Sequence, residues 1–257
     1  MAKLLYKYLD AKGGLAMLKN HNLQFTNATK LNDPFDCHPS LINFSNVPTE
    51  RCRIWDSKTI EILEFEQYKR QWRDTWICSL SKSFDNLLMW AHYCENHQGI
   101  CIGIDMEKVN EYLSKIPNGV YVGAKEIEVQ YEEIIRKPDF FHDFFKDFFR
   151  YQLSTKAKDW EYEQEVRLIL NDPLSVFTPM ARPIKPKKNN EWEGYRAYAL
   201  IGKECFSELY LGINISKRRK NNLVKVAREL NPDIKIYQMI VDSERFKLDV
   251  KRLSFSE

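Results

Sequence analysis

The sequence lacks the usual marks of export, of membrane insertion and of a metal or disulfide framework. Its six cysteines, Cys37, Cys52, Cys78, Cys94, Cys101 and Cys205, form no C-x-x-C pair and mostly sit in apolar segments. A reduced thiol packs there as a small hydrophobe, so neither a disulfide nor a zinc cage is expected. His92 and His97 are five residues apart, which on a helix turns the second side chain about 140° from the first and keeps them from sharing a metal. No stretch approaches the roughly 18 consecutive apolar residues of a membrane helix. The opening MAKLLYKYLD reaches Asp10 before a signal-peptide core could form, so a cytoplasmic protein with no membrane partner is expected. Neither G-x-G-x-x-G nor G-x-x-x-x-G-K-[ST] occurs, which excludes the usual phosphate-binding loops. Internal repeats and low-complexity linkers are missing as well. Charge of one sign is scarce: 39 basic residues face 36 acidic ones, and a net charge of +3 demands no polyanionic partner. The local basic runs Arg182 to Lys188 and Lys217 to Lys220 read first as a solvated loop and a solvated helix start, and second as phosphate contacts.

What is present is enough apolar material for a core. A chain of 257 residues with 44% hydrophobic and 13% aromatic content folds as one domain without covalent cross-links. Strands are expected at Leu4 to Tyr8, Leu23 to Thr26, Trp76 to Leu80, Ile100 to Ile104, Val120 to Val122, Ile127 to Tyr131, Glu163 to Leu170, Glu208 to Ile213 and Ile234 to Ile240. Helices are expected at Ala11 to Asn20, within Thr49 to Arg73, after a cap at Ser83, over Phe140 to Leu153 and over Ser216 to Leu230. Phe84, Leu87, Leu88 and Ala91 take the spacing of one buried helical face, and the phenylalanines from Phe140 to Phe149 draw a second apolar stripe. Strands and helices mix without regular βαβ alternation, which makes the fold class α+β.

The segment richest in chemistry is Trp160-Glu161-Tyr162-Glu163-Gln164-Glu165-Val166-Arg167. On a strand, Glu163, Glu165 and Arg167 share one face. Such a ladder is either an exposed set of salt bridges or a carboxylate poised beside a cation for ribose hydroxyls or an oxocarbenium-like transition state. Ser79-Leu80-Ser81 puts two hydroxyls on one side of a strand end. Asn32-Asp33-Pro34 forms a turn, and Trp90, His92 and Tyr93 share a helix.

The motifs Leu5-Tyr6-Lys7-Tyr8, Leu31-Asn32-Asp33-Pro34-Phe35-Asp36, Met89-Trp90-Ala91-His92-Tyr93 with His97-Gln98-Gly99, and Trp160 to Arg167 together resemble a family of bacterial domains of unknown function. Their layout is in turn similar to the ADP-ribosyltransferase fold. That resemblance implies a single domain over 1–257, with split mixed β-sheets flanked by helices. Ser79-Leu80-Ser81 and Glu163-Gln164-Glu165 fit the Ser-x-Ser and Glu-x-Glu marks of the toxin-like branch, and Lys7 stands where that branch has Arg. The implied function is NAD-dependent ADP-ribosyl transfer to a macromolecule, DNA or RNA among the candidates, in a bacterial toxin or phage-defence setting with an antitoxin or chaperone partner. The implied catalytic residues are Glu165 and Glu163. Tyr6, Lys7, Tyr8, Ser79, Ser81, Asn32 and Asp33 would hold NAD, and Trp90, His92, Tyr93 and Arg167 the substrate, with no metal. An NAD glycohydrolase or other nucleotide-processing hydrolase, and a catalytically silent binding module, are the alternatives. On this reading Glu165→Gln abolishes turnover with little change in stability.

Overall fold

The computed structural model describes residues 3–48, 56–62, 64, 75–115, 125–143, 145–171 and 196–254. Strand β1 (Leu4–Leu9) enters helix α1 (Ala11–Asn20), and β2 (Asn22–Asn27) follows at once. The helix starts where Asp10 accepts a hydrogen bond from the Gly13 amide at 2.7 Å. Its Gly14 is there for close approach: a Cβ at that position would overlap the Ile100 side chain. Then come β3 (Thr75–Ser81), α2 (Leu87–Tyr93), β4 (Ile100–Asp105), α3 (Met106–Ser114), β5 (Lys125–Glu128), β6 (Gln130–Glu132), α4 (Phe145–Ser154), β7 (Thr155–Ala157) and β8 (Glu165–Asn171). After the stretch outside the described residues, β9 (Arg196–Leu200), β10 (Phe206–Leu211), α5 (Lys217–Leu230), β11 (Lys235–Val241) and β12 (Leu248–Arg252) complete the chain.

The result is a mixed α+β structure whose ten-stranded main sheet is mostly antiparallel and flanked by helices, beside a small parallel pair of β6 and β7. Along the main path the order is β12-β11-β10-β4-β1-β3-β2-β9. Strand β3 is the branch point. It bonds β8 along its whole length, from Thr75 opposite Asn171 to Ser81 opposite Glu165. It meets β1 only where Tyr6 faces Ser81, and β2 only where Thr26 and Asn27 face Ile77 and Trp76. Strands β1 and β2 therefore diverge beside β3, and a cleft opens there.

The main core lies under α1 and α5, with Leu18, Phe25, Ile102, Leu168, Leu209 and Leu223 fully buried. A second cluster under α2 contains Tyr8, Trp90 and Tyr210, with the rings of Phe84, Tyr210 and Tyr237 stacked at 4.3 and 4.9 Å. Cys37, Cys78, Cys94, Cys101 and Cys205 are buried free thiols, and Cys52 lies outside the described residues. Among the described residues, no helix is long and apolar enough to cross a membrane.

Several expected boundaries move. Helix α2 is capped not by Ser83 but by Asn86, whose Oδ1 accepts from the Leu88 and Met89 amides at 2.9 and 3.1 Å. The buried face also differs from the expected one: Met89 and Trp90 are buried, and Leu87 and Leu88 are exposed. The phenylalanine-rich helix begins at Phe145 rather than Phe140, because Asp139 bridges to Asn43 and Phe140 stacks on Phe44 at 4.8 Å. Phe148 on that helix is buried against Ile42 and Phe44. Of the region from Thr49 to Arg73, residues 57–62 are helical, and most of the remainder falls outside the described residues. Val120 to Val122 and the Arg182 to Lys188 run lie wholly outside them.

Candidate active site

The cleft beside the branch point encloses about 250 Å³. That is below the roughly 300–1,000 Å³ of pockets that enclose a whole drug-sized ligand. Strand β1 supplies Tyr6, Lys7 and Tyr8; β3 supplies Ser79 and Ser81; the loop after β2 supplies Asn32 and Asp36; α2 supplies Tyr93; and Lys156, Glu163 and Glu165 close the floor.

The two glutamates do not meet as an alternating strand face. Glu163 closes a 3-10 turn spanning Lys158–Glu163, Gln164 turns left-handed at φ 46°, and β8 begins only at Glu165. The kink does what strand alternation was expected to do: both carboxylates reach the same ammonium. Lys156 Nζ lies 2.5 Å from Glu163 Oε2, 3.5 Å from Glu165 Oε2 and 3.9 Å from Asp36 Oδ2. Behind them the Arg167 guanidinium forks onto Glu165, Nε to Oε1 at 3.0 Å and Nη2 to Oε2 at 3.1 Å. It also donates to Asp36 Oδ2 at 2.7 Å and to the Leu153 carbonyl at 2.8 Å. Three carboxylates thus share two cations, and all five side chains are at most 5% exposed. The exposed salt-bridged ladder that an isolated E-x-E-x-R suggests is therefore replaced by a buried network, which is tolerable only because every charge is paired and hydrogen-bonded.

Polar neighbours fix the carboxylates. The Tyr93 hydroxyl donates to Glu163 Oε1 at 2.5 Å and accepts from Asn32 Nδ2 at 2.9 Å. The Ser81 hydroxyl donates to the Glu163 carbonyl at 2.7 Å, Ser79 hydrogen-bonds the Glu165 carboxylate, and the Glu165 amide donates to the Tyr131 hydroxyl at 2.8 Å. Lys7 Nζ donates to the Ser79 carbonyl at 2.8 Å, tying β1 to β3 where the strands part.

This environment drives the two carboxyls in opposite directions. Burial raises Glu165, but Arg167 and then Lys156 outweigh it and hold the group at about 2, permanently ionised. Burial also raises Glu163, and the attraction of Lys156 only partly offsets it, so Glu163 stays above the ordinary carboxylate range. Burial lowers Lys156, yet Glu165 and Glu163 more than restore it, and the ammonium keeps its proton. Two adjacent carboxyls with separated proton affinities are the usual arrangement for dividing an acid–base role from a charge-stabilising one.

Some expected site residues stand apart from the cleft wall. Trp90 is buried, with its indole Nε1–H donating to the Phe84 carbonyl at 2.7 Å. His92 is exposed, 6.2 Å from the Tyr162 ring. Asp33 is buried in its turn, accepting from the Phe35 amide at 2.9 Å. Arg167 is fully buried behind Glu165 and Asp36. Sequence reasoning missed Lys156, Asp36 and Tyr131. Asp36 ends the Asn32 to Asp36 motif and so carried a signal, whereas nothing local distinguishes Lys156.

Residues 89–168 match a family model described as "Protein of unknown function (DUF2971)". The matched stretch runs from α2 into β8 and contains Tyr93, Lys156, Glu163, Glu165 and Arg167. No curated protein and no solved structure matches the chain.

Proposed function

We propose that the protein is an NAD-dependent ADP-ribosyltransferase acting on a macromolecule. The observation that carries this reading is the pair of buried carboxylates, Glu165 ionised and Glu163 pushed toward protonation, in one cleft with Tyr6, Lys7, Tyr8, Ser79 and Ser81. In the proposed reaction the bond from ribose C1′ to the nicotinamide nitrogen breaks, nicotinamide leaves with the bonding pair, and an acceptor nucleophile bonds to C1′. Glu165 opposes the positive charge that develops on the ribose. Glu163 takes the proton that the nucleophile loses, a role suited to a carboxyl whose proton affinity is raised. Lys7 and the Tyr8 side contact the cofactor, and Ser79 and Ser81 hold the two glutamates in place. The bacterial toxin or phage-defence setting rests on the motif resemblance alone.

A second reading, a catalytically silent binding module, is favoured by a different observation: both Glu165 oxygens are already engaged by Arg167. Labelled NAD incubated with the purified protein and separate pools of DNA, RNA and protein separates the two. Label on one pool supports transfer, free ADP-ribose supports a glycohydrolase using water on the same glutamates, and intact NAD supports the silent module. The decisive variant is Glu163→Gln, which keeps an acceptor for Tyr93 and leaves Arg167 its partners. It takes away the nearest carboxylate of Lys156 but leaves that ammonium Glu165 and Asp36, so the variant should stay folded with some loss of stability and lose about 10²- to 10³-fold in NAD consumption; full activity in a folded Glu163→Gln protein would falsify the assignment. Glu165→Gln is the poorer probe, because it removes a buried charge on which Arg167 and Lys156 both depend, and a loss of stability is now expected from it.

A further inference from the structure

Adjoining the cleft is a larger groove of about 910 Å³, bounded by α1 on one side and by β2 and β9 on the other. Lys7 lines both spaces, so the groove and the cleft that holds Glu163 and Glu165 adjoin at that side chain. Its polar lining is strongly one-sided: Lys7, Lys12, Lys19, His21 and Arg196 against the single carboxylate of Asp10. That carboxylate is already occupied in capping α1 through the Gly13 amide. Lys12, Lys19 and Arg196 are exposed and make no ion pair among the described residues. The near-neutral net charge of the whole chain hides this local excess.

The chemistry that satisfies such a lining is a chain of phosphates. Lys12 and Lys19 are seven residues apart on one helix, about 10 Å along its axis, and Arg196 lies across the groove on β9. Successive phosphates of a polymer meet these cations in turn, without drawing them together onto one group. Half-buried Tyr198 lines the β9 side, two residues from Arg196, with Asn22 and Gln24 of β2 beside it, and Asn20 lines the α1 side. Cations that follow a backbone, together with an aromatic ring for a base, form the usual site for single-stranded nucleic acid. We infer that this groove binds a single-stranded nucleic acid and leads it past Lys7 to the carboxylates. Its role as the acceptor of transfer rests on the proposed transferase reading; its binding does not.

The test is fluorescence anisotropy of a labelled, mixed-sequence single-stranded twelve-mer, titrated with the full chain at several salt concentrations and without NAD. Binding should weaken steeply with salt, with a log–log slope of about −0.7 for each phosphate neutralised. The triple variant Lys12→Glu, Lys19→Glu, Arg196→Glu, checked for an unchanged thermal melt, should bind at least about tenfold more weakly, since several such contacts are removed at once. Lys225→Glu, on the exposed part of α5 beside Glu229, should bind like the parent. Affinity within about twofold of the parent in the triple variant, or an equal loss in Lys225→Glu, overturns the assignment. So does displacement of the oligonucleotide by NAD at constant ionic strength, because the groove would then be a seat for the cofactor's own phosphates. The anisotropy titration decides the groove even for a protein inert toward NAD, and oligonucleotide binding without modification counts against the transferase reading alone.

Discussion

Two charged regions meet at Lys7 and follow opposite rules. In the cleft, Asp36, Lys156, Glu163, Glu165 and Arg167 are buried, and each has its counter-charge within 4 Å. In the groove, Lys12, Lys19 and Arg196 are exposed and have no carboxylate partner among the described residues. Burial forces pairing, because an isolated charge in a low-dielectric interior costs several kcal/mol. Exposure removes that compulsion, since water solvates the cation and a surface pair contributes about 1 kcal/mol or less. Mutations in the cleft must therefore report on fold and chemistry together, whereas mutations in the groove can report on binding alone.

The largest expected effect breaks the cleft network at its most buried member. Arg167→Met leaves Asp36 and Glu165 without the guanidinium that bonds both and should lower stability by about 3–5 kcal/mol, as removal of one partner of a buried pair does. Urea denaturation midpoints measure it. A loss below about 1 kcal/mol would mean that the cluster is solvated like the groove, and the contrast between the two regions would collapse.

Acid titration sharpens the contrast within the cleft. Glu165 is depressed from 4.5 to about 2 in the folded chain. Its contribution is therefore complete above pH 4.5 and is lost as pH falls from there toward 2. Glu163 is raised, so its contribution is complete below the ordinary carboxylate range and is lost as pH rises through its elevated value. The slope of stability against pH between 4.5 and 2 should be shallower in Glu165→Gln than in the parent and unchanged or steeper in Glu163→Gln. Equal slopes in parent and Glu165→Gln would remove the basis for assigning Glu165 the permanent charge.

A smaller effect is expected at Tyr93, whose hydroxyl hydrogen bond favours the ionised form of Glu163. Tyr93→Phe should cost about 1 kcal/mol and raise the Glu163 titration further, which carboxyl-carbon NMR can follow. A downward shift would show that the phenol is not the donor.

These sites were legible in the sequence to different depths. Ser79, Ser81, Glu163 and Glu165 stood out because strand ends and repeated carboxylates are local patterns, and β1, α1 and β2 followed from hydrophobic patterning. The kink at Gln164 was hidden, since a left-handed φ at glutamine has no sequence signature comparable to glycine. Lys156 was hidden for another reason: its three carboxylate partners come from the loop after β2, from a 3-10 turn and from β8, and only the fold brings them together. The groove was missed because its cations are spread between Lys7 and Arg196 rather than forming a run. Of the runs that did attract notice, Lys217 to Lys220 opens α5, where Arg219 pairs with Glu95 at 3.0 Å, and Arg182 to Lys188 lies outside the described residues.

The smallest expected effect is the one the groove predicts for stability. Lys12→Glu combined with Lys19→Glu reverses two charges on the exposed side of α1 and disturbs no ion pair among the described residues. Such surface changes usually move stability by no more than about 0.5 kcal/mol. The helix dipole sharpens the direction: glutamate near the N-terminus at position 12 is slightly favourable, and glutamate in the last turn at position 19 slightly unfavourable, so the two changes should nearly cancel. Paired urea melts of parent and double variant measure the difference, and the single changes should separate with opposite signs of a few tenths of a kcal/mol. If Lys19→Glu alone costs as much as Arg167→Met, then Lys19 is held by a structural partner, and the groove belongs to the same class of fully paired charge as the cleft.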